Sequence, residues 1–423
     1  MAAEQGATLL GVGRDCRLTS DGYAAALREG IAAAGVDVSE LGVCPTPLVY
    51  FAIWHWGLGG GVQVTGSHNP SDYNGFKLCV GPHALHGDQI QALRRLMETG
   101  PSRRGTGRIR PREVVPVYQD HVVATLGKLG RQISVVVDAG NGTAGAVAPA
   151  LYERLGARVT PLFCELDGRF PNHHPDPTIV DNMQQLIDHV RTSGAELGIA
   201  FDGDADRIGV VDDRGDMIWG DELLVLYARD MLERNPGATI VAEVKCSQRL
   251  FDDIARRGGH GVMWKAGHSL LKAKMRETGA LLGGEMSGHI FFKERWFGFD
   301  DGIYAGARLL EILGRTGKTV RELLADLPHT ETTPEIRVDC PDAVKFQVAD
   351  RVRDQLRAAG RDVIDLDGVR LTLPHGWGLL RASNTQPALV MRFEADTPEH
   401  LAQYRAMLES AVADARREVE ERR

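Results

Sequence analysis

Leu197-Gly198-Ile199-Ala200-Phe201-Asp202-Gly203-Asp204-Ala205-Asp206-Arg207 is the stretch from which the rest of the chain can be read. Its first five residues form a short apolar run, as a buried strand does. The strand then delivers three carboxylates and a guanidinium within six residues, a set that suits a divalent metal and a phosphate. Alternate residues of an extended segment share a side, so Asp202, Asp204 and Asp206 are expected to converge on one ion. Hard oxygen ligands without His or Cys favour Mg²⁺ over Zn²⁺. The plainer alternatives are an acidic turn or a calcium loop. The flanking strands and the lack of calcium-loop spacing weigh against the latter, and Arg207 is more natural beside a phosphate than beside a bare cation.

Working outward, residues 208–211 and 217–219 flank Asp212-Asp213-Arg214-Gly215-Asp216, a predicted hairpin turn. Strand-like and helix-like segments alternate throughout. Strands are predicted at 9–12, 133–137 and 239–244, and helices at 23–34, 47–56 and 398–423. Asp221 is expected to cap a helix that runs to about residue 232. Residues 101–116, rich in Arg, Gly and Pro, and residues 326–334 read as connections. The alternation predicts α/β layers, and 423 residues suggest roughly three domains. No repeat is evident in the sequence.

A second polar stretch, Thr65-Gly66-Ser67-His68-Asn69-Pro70, follows the strand-like run 61–64. Such residues belong on a turn at a strand end, where the Ser67 hydroxyl can meet a ligand. An alcohol is a poor nucleophile at neutral pH, and a metal beside a phosphoserine would neutralise charge on the transferring group. Lys77, in the turn that follows, could reach the same phosphate. A third stretch, Gly283-Gly284-Glu285-Met286-Ser287-Gly288-His289, also reads as a strand-end loop. Glu285 suits a pair of sugar hydroxyls, and His289 could serve as general acid or base. A fourth, Arg381-Ala382-Ser383-Asn384-Thr385-Gln386-Pro387, would cradle a phosphate dianion. Taken singly, each of these loops is more plausibly an ordinary turn.

Gly140-Asn141-Gly142-Thr143-Ala144-Gly145 matches the dinucleotide fingerprint after a predicted strand, with Glu165 near the place of a ribose-binding acid. It would support an NAD-type oxidoreductase, although Asp138 and Asn141 also suit a structural strand–turn–helix. Asn172-His173-His174-Pro175-Asp176 reads as a rigid connecting loop. The net charge of −8 argues against general affinity for nucleic acid or anionic membrane, without forbidding anionic substrates. Six scattered cysteines, no basic apolar leader and no membrane-length apolar run point to a cytoplasmic protein with reduced thiols.

With four loops in this order, the chain resembles the α-D-phosphohexomutases, and within them the bacterial phosphomannomutase/phosphoglucomutase group. The resemblance runs from Gly13-Arg14-Asp15 to Arg392-Phe393-Glu394-Ala395. It implies three related α/β domains and a smaller α+β C-terminal domain around a central cleft, with expected boundaries at 1–110, 114–216, 217–328 and 329–423. It implies a phosphate carried on Ser67, and Mg²⁺ held by Asp202, Asp204, Asp206 and a Ser67 phosphate oxygen. Arg207 and Lys77 would flank the transferring phosphate. Lys245 and His268 would line the cleft, Glu285 and Ser287 would read sugar hydroxyls, and Arg381, Ser383, Asn384 and Thr385 would hold the other phosphate. The implied substrates are small phosphosugars, with a hexose 1,6-bisphosphate as intermediate or activator and a monomer as the expected assembly.

Thr65-Gly66-Ser67 and Ser383-Asn384-Thr385-Gln386-Pro387 look like the mannose/glucose group rather than the phosphoglucosamine mutases. Nothing here matches the strand, the Tyr-Asp-Ile-Arg-Gly type loop and the helix with which the family normally begins. The strand at 9–12 or a neighbour is therefore expected to be an exposed sheet edge, and a non-catalytic sugar-phosphate binding protein is the alternative reading.

Overall fold

In a computed structural model, which describes residues 2–100, 103–383 and 386–421, the alternation becomes four sheets in succession. The first unit comprises β1 (Leu9–Arg14), α1 (Ser20–Ala33), β2 (Asp37–Val43), α2 (Thr46–Trp56), β3 (Gly60–Val64), β4 (Phe76–Val80), β5 (His83–Ala84), α3 (Asp88–Thr99) and β6 (Ile109–Pro111). Its sheet runs β5-β4-β3-β1-β2-β6, parallel from β3 to β6, with β4 and β5 antiparallel. The strand at 9–12 is thus not an edge: β2 and β3 pair with it on either side. The edges are the two-residue β5 and Ile109–Pro111; the latter pairs with Val38–Glu40 and comes from the stretch expected to be a connection. Three residues ending in Pro suit an edge, because a missing N–H costs nothing on the open side.

The second unit holds α4 (Val115–Leu126), β7 (Ser134–Asp138), α5 (Ala148–Leu155), β8 (Arg158–Leu162), α6 (Val180–Ser193), β9 (Leu197–Phe201), β10 (Ile208–Asp212) and β11 (Met217–Ile218), in sheet order β11-β10-β9-β7-β8. The third holds α7 (Gly220–Arg234), β12 (Thr239–Glu243), α8 (Gln248–Arg256), β13 (His260–Trp264), α9 (His268–Thr278), β14 (Leu282–Gly284), β15 (Ile290–Phe292), α10 (Gly302–Thr316) and α11 (Val320–Leu324), in sheet order β13-β12-β14-β15. In each of the three sheets a parallel core ends in a strand that turns back as an antiparallel hairpin: β3 to β4, β9 to β10, β14 to β15. The connecting loops of these hairpins carry Ser67, Asp202–Asp206 and Glu285–His289. β3 and β9 are buried along their whole length, which explains their small and apolar runs; the one polar residue among them, Gln63, donates its amide to the Cys44 carbonyl at 2.8 Å.

Asp221 is not the cap of α7. The helix opens at Gly220 after Trp219, and the Glu222 carboxylate folds back to accept the Trp219 N–H at 3.1 Å. Asp221 instead sits in the first turn and accepts the Ser247 N–H at 2.9 Å, tying α7 to the loop before α8.

The last unit is an antiparallel sheet of β16 (Glu331–Thr332), β17 (Ile336–Asp339), β18 (Val363–Ile364), β19 (Val369–Leu373), β20 (Gly376–Ala382) and β21 (Ala388–Ala395), packed on α12 (Lys345–Ala358) and α13 (Pro398–Glu421). β16 arises from the other expected connection and pairs with the end of β21. One continuous buried cluster runs through the first three units, whereas this unit has a separate core. Two buried arginines fasten it to the third unit. Arg370 stacks 3.9 Å above Trp377 and donates to the Val244 and Cys246 carbonyls, and Arg392 donates to the Lys245 carbonyl.

Asp301 caps α10 by accepting the Tyr304 N–H at 2.9 Å, and the Tyr118 hydroxyl also donates to it at 3.0 Å. Burial pushes its carboxyl up to about 7. An acid whose folded value is raised binds its proton more tightly when folded, so its effect on stability is most favourable at low pH and is lost as pH rises through about 7. Asn keeps the cap without the charge. Asp301→Asn is therefore expected to gain ~1–3 kcal/mol over the parent at pH 8 and little at pH 4, near the value of the unfolded acid, in denaturant melts at the two pH values. An equal difference at both would contradict the assignment.

Candidate active site

The aspartate loop is not extended. Residues 202–206 turn, and Ala205 takes a positive φ of 60°. The three carboxylates converge because the chain curls around them, not because alternate side chains share a strand face; their oxygens lie within 4.8 Å of one another. All three are fully buried, not at the surface of a cleft. Gly203 is required here, since a Cβ would stand 2.5 Å from the Ser67 carbonyl oxygen. The backbones of the first and second units meet at that point.

Ser67 itself sits at φ 48°, a strained position for a non-glycine residue. Its hydroxyl donates to Asp202 Oδ2 at 2.8 Å and lies 3.1 Å from His68 Nδ1. What holds the turn is Arg17, whose side chain is wholly buried. Its guanidinium donates to the carbonyls of Ser67 and Asn69, both at 2.7 Å, of Tyr73 at 3.0 Å and of Pro70. Asp15 orients it at 3.1 Å and also accepts the Gly66 N–H at 3.2 Å. Sequence reading stopped at Gly13-Arg14-Asp15 and missed Arg17; an Arg two residues after an Asp carries no signal without the loop it grips.

Lys77 lies between two of the aspartates, 2.7 Å from Asp204 and in contact with Asp206, which hold its ammonium well above the usual lysine range despite burial. Thr46, also unforeseen, donates its hydroxyl to Asp204. Burial, then Asp204 and Asp206, push the Asp202 carboxyl well above the usual range. Asp204 Oδ1 is buried with no hydrogen-bond partner among the described residues. Three buried carboxylates with an unmet oxygen and one competing ammonium fit a divalent cation held by oxygen donors.

His289, read as a loop residue, is buried between carboxylates: Nδ1 lies 2.6 Å from Glu285 and Nε2 3.1 Å from Asp206. Burial opposes its charge and so does Arg207, 3.3 Å from Nε2, yet the two acids prevail and raise it to about 9. The ring is thus an imidazolium at neutral pH. Glu285 is held down to about 2 against its burial, by His289 and Lys245, and accepts the Gly267 N–H at 2.6 Å. His268 stacks on His289 at 5.5 Å and bonds Asp300 at 2.9 Å; burial, then Lys272, lower it, so it stays neutral. His68 is lowered to about 4 by burial and then by Arg207. Ser287 Oγ lies 3.3 Å from His289 Nδ1.

Lys245 pairs with Glu335 at 2.8 Å, and Arg381 with Asp367 at 3.1 Å; Asp367 also accepts the Ala266 N–H at 3.3 Å, joining the C-terminal unit to the loop before His268. The buried Ser383 accepts the Gln386 N–H at 3.1 Å. Asn384 and Thr385 lie outside the described residues. Ser67, Lys77, Asp202, Asp204, Asp206, Arg207, His268, Glu285 and His289 thus form one connected polar network, with Lys245 and Arg381 at the junction with the last unit.

The glycine-rich decoy is spent on packing. A Cβ on Gly142 would stand 2.8 Å from the Gly203 carbonyl oxygen, and one on Gly145 2.1 Å from that of Cys164. Thr143 N–H donates to the Gly203 carbonyl at 3.0 Å. The turn buttresses the aspartate loop, with its glycines pressed against backbone of the Gly203 and Cys164 loops.

Four family models match the chain in order. They describe phosphoglucomutase/phosphomannomutase alpha/beta/alpha domains I, II and III, at residues 1–104, 116–215 and 219–330, and the C-terminal domain at 335–411. A phosphomannomutase/phosphoglucomutase of Pseudomonas putida is 49% identical over 94% of this chain and 86% of its own length. A phosphoglucomutase of Neisseria gonorrhoeae is 45% identical, over 97% and 90%. The crystal structure of a phosphoglucomutase/phosphomannomutase family protein from Burkholderia thailandensis superposes with a TM-score of 0.93 at 44% identity, covering 98% of this chain and 91% of that one. The chain belongs to the phosphoglucomutase/phosphomannomutase family, the α-D-phosphohexomutases. Among the described residues no helix is long and apolar enough to cross a membrane.

The Arg17 clamp yields a test. Lys keeps the charge but offers one donor point in place of a fork. Arg17→Lys is expected to lower kcat/KM at least ~100-fold, with a moderate loss of melting temperature, because the Ser67 backbone loses its supports. Steady-state kinetics beside a thermal melt decide this, and full activity would contradict it.

Proposed function

We propose that the chain interconverts hexose 1-phosphate and hexose 6-phosphate, of mannose, glucose or both, by way of a phosphate carried on Ser67. The observation that carries this reading is the 2.8 Å hydrogen bond from Ser67 to Asp202, which sets a strained, gripped hydroxyl against a buried cluster of carboxylates. Asp202, Asp204 and Asp206 would hold Mg²⁺. The ion would supply charge neutralisation for the phosphoryl group on Ser67.

The chain's own groups account for the remaining requirements. Phosphoryl transfer to the sugar breaks the bond between Ser67 Oγ and phosphorus and forms one to the free sugar oxygen; once the bisphosphate has turned over, the bond between its other phosphorus and sugar oxygen breaks as a new one to Ser67 Oγ forms. Arg207, beside Asp202 and His289, offers guanidinium charge to the phosphate oxygens. Lys77 balances Asp204 and Asp206, and would be freed for the phosphate when another cation takes its place. Neutral His268 suits accepting the proton of the attacking hydroxyl, and the imidazolium of His289 suits returning one; two stacked rings whose environments push them in opposite directions divide the acid and base roles.

Glu285 and Ser287 would read the sugar hydroxyls. Lys245, Arg381, Ser383, Asn384 and Thr385 would hold the phosphate that is not reacting. That cradle has to accept the substrate in two orientations, since a hexose 1,6-bisphosphate must present either end to Ser67. The site also has to keep water from the phosphoserine.

As isolated, part of the protein is expected to carry one phosphate on Ser67. Ser67→Ala should lose that mass and several orders of magnitude in turnover, on the order of 10⁴-fold or more. Intact-mass spectrometry and a coupled assay with each hexose 1-phosphate, plus a trace of bisphosphate, measure both. Near-normal turnover in the alanine variant would sink the reading.

Chelation should abolish activity and Mg²⁺ restore it. Asp204→Asn should cut turnover while the protein stays folded, since the change removes one charge from an over-charged cluster. Undiminished activity in metal-free buffer would overturn the role given to the aspartates.

A further inference from the structure

His375, Asp396 and His400 come together on the C-terminal unit, and none of them bonds to a described residue of the candidate active site. His375 lies in the turn between β19 and β20, Asp396 at the end of β21, and His400 in the first turn of α13. His375 Nδ1 is 2.9 Å from Asp396 Oδ2, and His400 Nδ1 is 2.6 Å from Asp396 Oδ1. Potential ligand atoms of all three lie within 4.8 Å of one another. We propose that this triad is a second metal site, for a borderline divalent ion of the Zn²⁺ type, distinct from the oxygen-lined aspartate cluster.

The donor set selects the ion. Two imidazoles and one carboxylate suit Zn²⁺, Co²⁺ or Ni²⁺, whereas Mg²⁺ takes oxygen ligands and keeps its waters. The backbone is ready for it. The His375 N–H donates to the Tyr404 hydroxyl at 3.2 Å, the Asp396 N–H to the His375 carbonyl at 3.0 Å, and the His400 N–H to Thr397 Oγ1 at 3.2 Å. Each ligand's main chain is therefore pinned, and only side-chain torsions need to adjust.

The rings are 4.2 Å apart and 5° from parallel, so their nitrogen lone pairs do not yet meet at one point. Binding requires one ring to tilt out of the stack. His375 is half-exposed and can do so without disturbing the core. Both imidazoles now point Nδ1 at the Asp396 carboxylate, which can only accept, and an ion would take the place of those two protons. Its remaining positions stay open to water. His375 and Asp396 also line a 440 Å³ cavity between α8 and the last sheet.

The consequence is structural. A metal would clamp the end of β21 and the β19–β20 turn to the start of α13, and anything bound only by the folded state stabilises it. Untagged protein is titrated with Co²⁺ in excess Mg²⁺, which keeps the aspartate cluster filled by the harder ion. One equivalent should bind with visible ligand-field absorption, Zn²⁺ should displace it, and Zn²⁺ should raise the melting temperature. His375→Gln and His400→Gln should each abolish the absorption and the thermal shift while leaving Mg²⁺-dependent mutase activity unchanged. Absorption that persists in both variants, or the absence of a saturable equivalent in the parent, would overturn the proposal; two independent variants guard against one that fails to fold.

Discussion

Everything in the site follows from three carboxylates buried side by side. Asp202, Asp204 and Asp206 have no exposure, and such a cluster cannot stay ionised without positive charge brought to it. The structure brings that charge from outside the loop: Lys77 from the first unit, and His289 from the third. Thr46 adds a hydroxyl and Ser67 another. Three units are thus bound to one another by the electrostatic demand of five consecutive positions in the second. The continuous apolar cluster through the same units supplies area, but the acidic loop supplies the register at which they meet.

The three α/β sheets solve the problem of aiming a loop in the same way. Each ends its parallel core in a strand that doubles back, and the polar residues ride on the bend. A loop between two paired strands has both ends fixed by ladder hydrogen bonds, so a strained residue such as Ser67 can be held where a free loop would relax. The relation is invisible as sequence identity, because the three bends do different chemistry with different residues. It is plain in topology, because strand order depends only on hydrophobic pattern and connection length.

The last unit stands apart. It has its own core and meets the third through Arg370 and Arg392 on backbone carbonyls, which are directional polar contacts, and through a small apolar cluster of Trp377 and Leu379 with Val244. Its loop at Arg381–Ser383 reaches the others through Asp367, which joins Arg381 to the backbone before His268.

The sequence by itself determined a great deal. A strand followed by Asp-Gly-Asp-Ala-Asp-Arg, a serine among turn residues at another strand end, and two more polar loops in a fixed order were enough for the α/β class and for the family, since each is a local pattern of hydrophobicity and functional groups. Boundaries that depended on pairing went astray for a physical reason. Whether 109–111 is a connection or an edge strand, and whether Asp221 or Trp219 precedes α7, is decided by which distant backbone is free to bond. The aspartates were expected to converge by strand alternation and converge by a left-handed turn at Ala205 instead. Only the tertiary structure brought Arg17 to the Ser67 carbonyl, Thr46 to Asp204, and both nitrogens of His289 against acids. Those partners are far apart along the chain, and their value lies in burial and electrostatics, which no local spacing records.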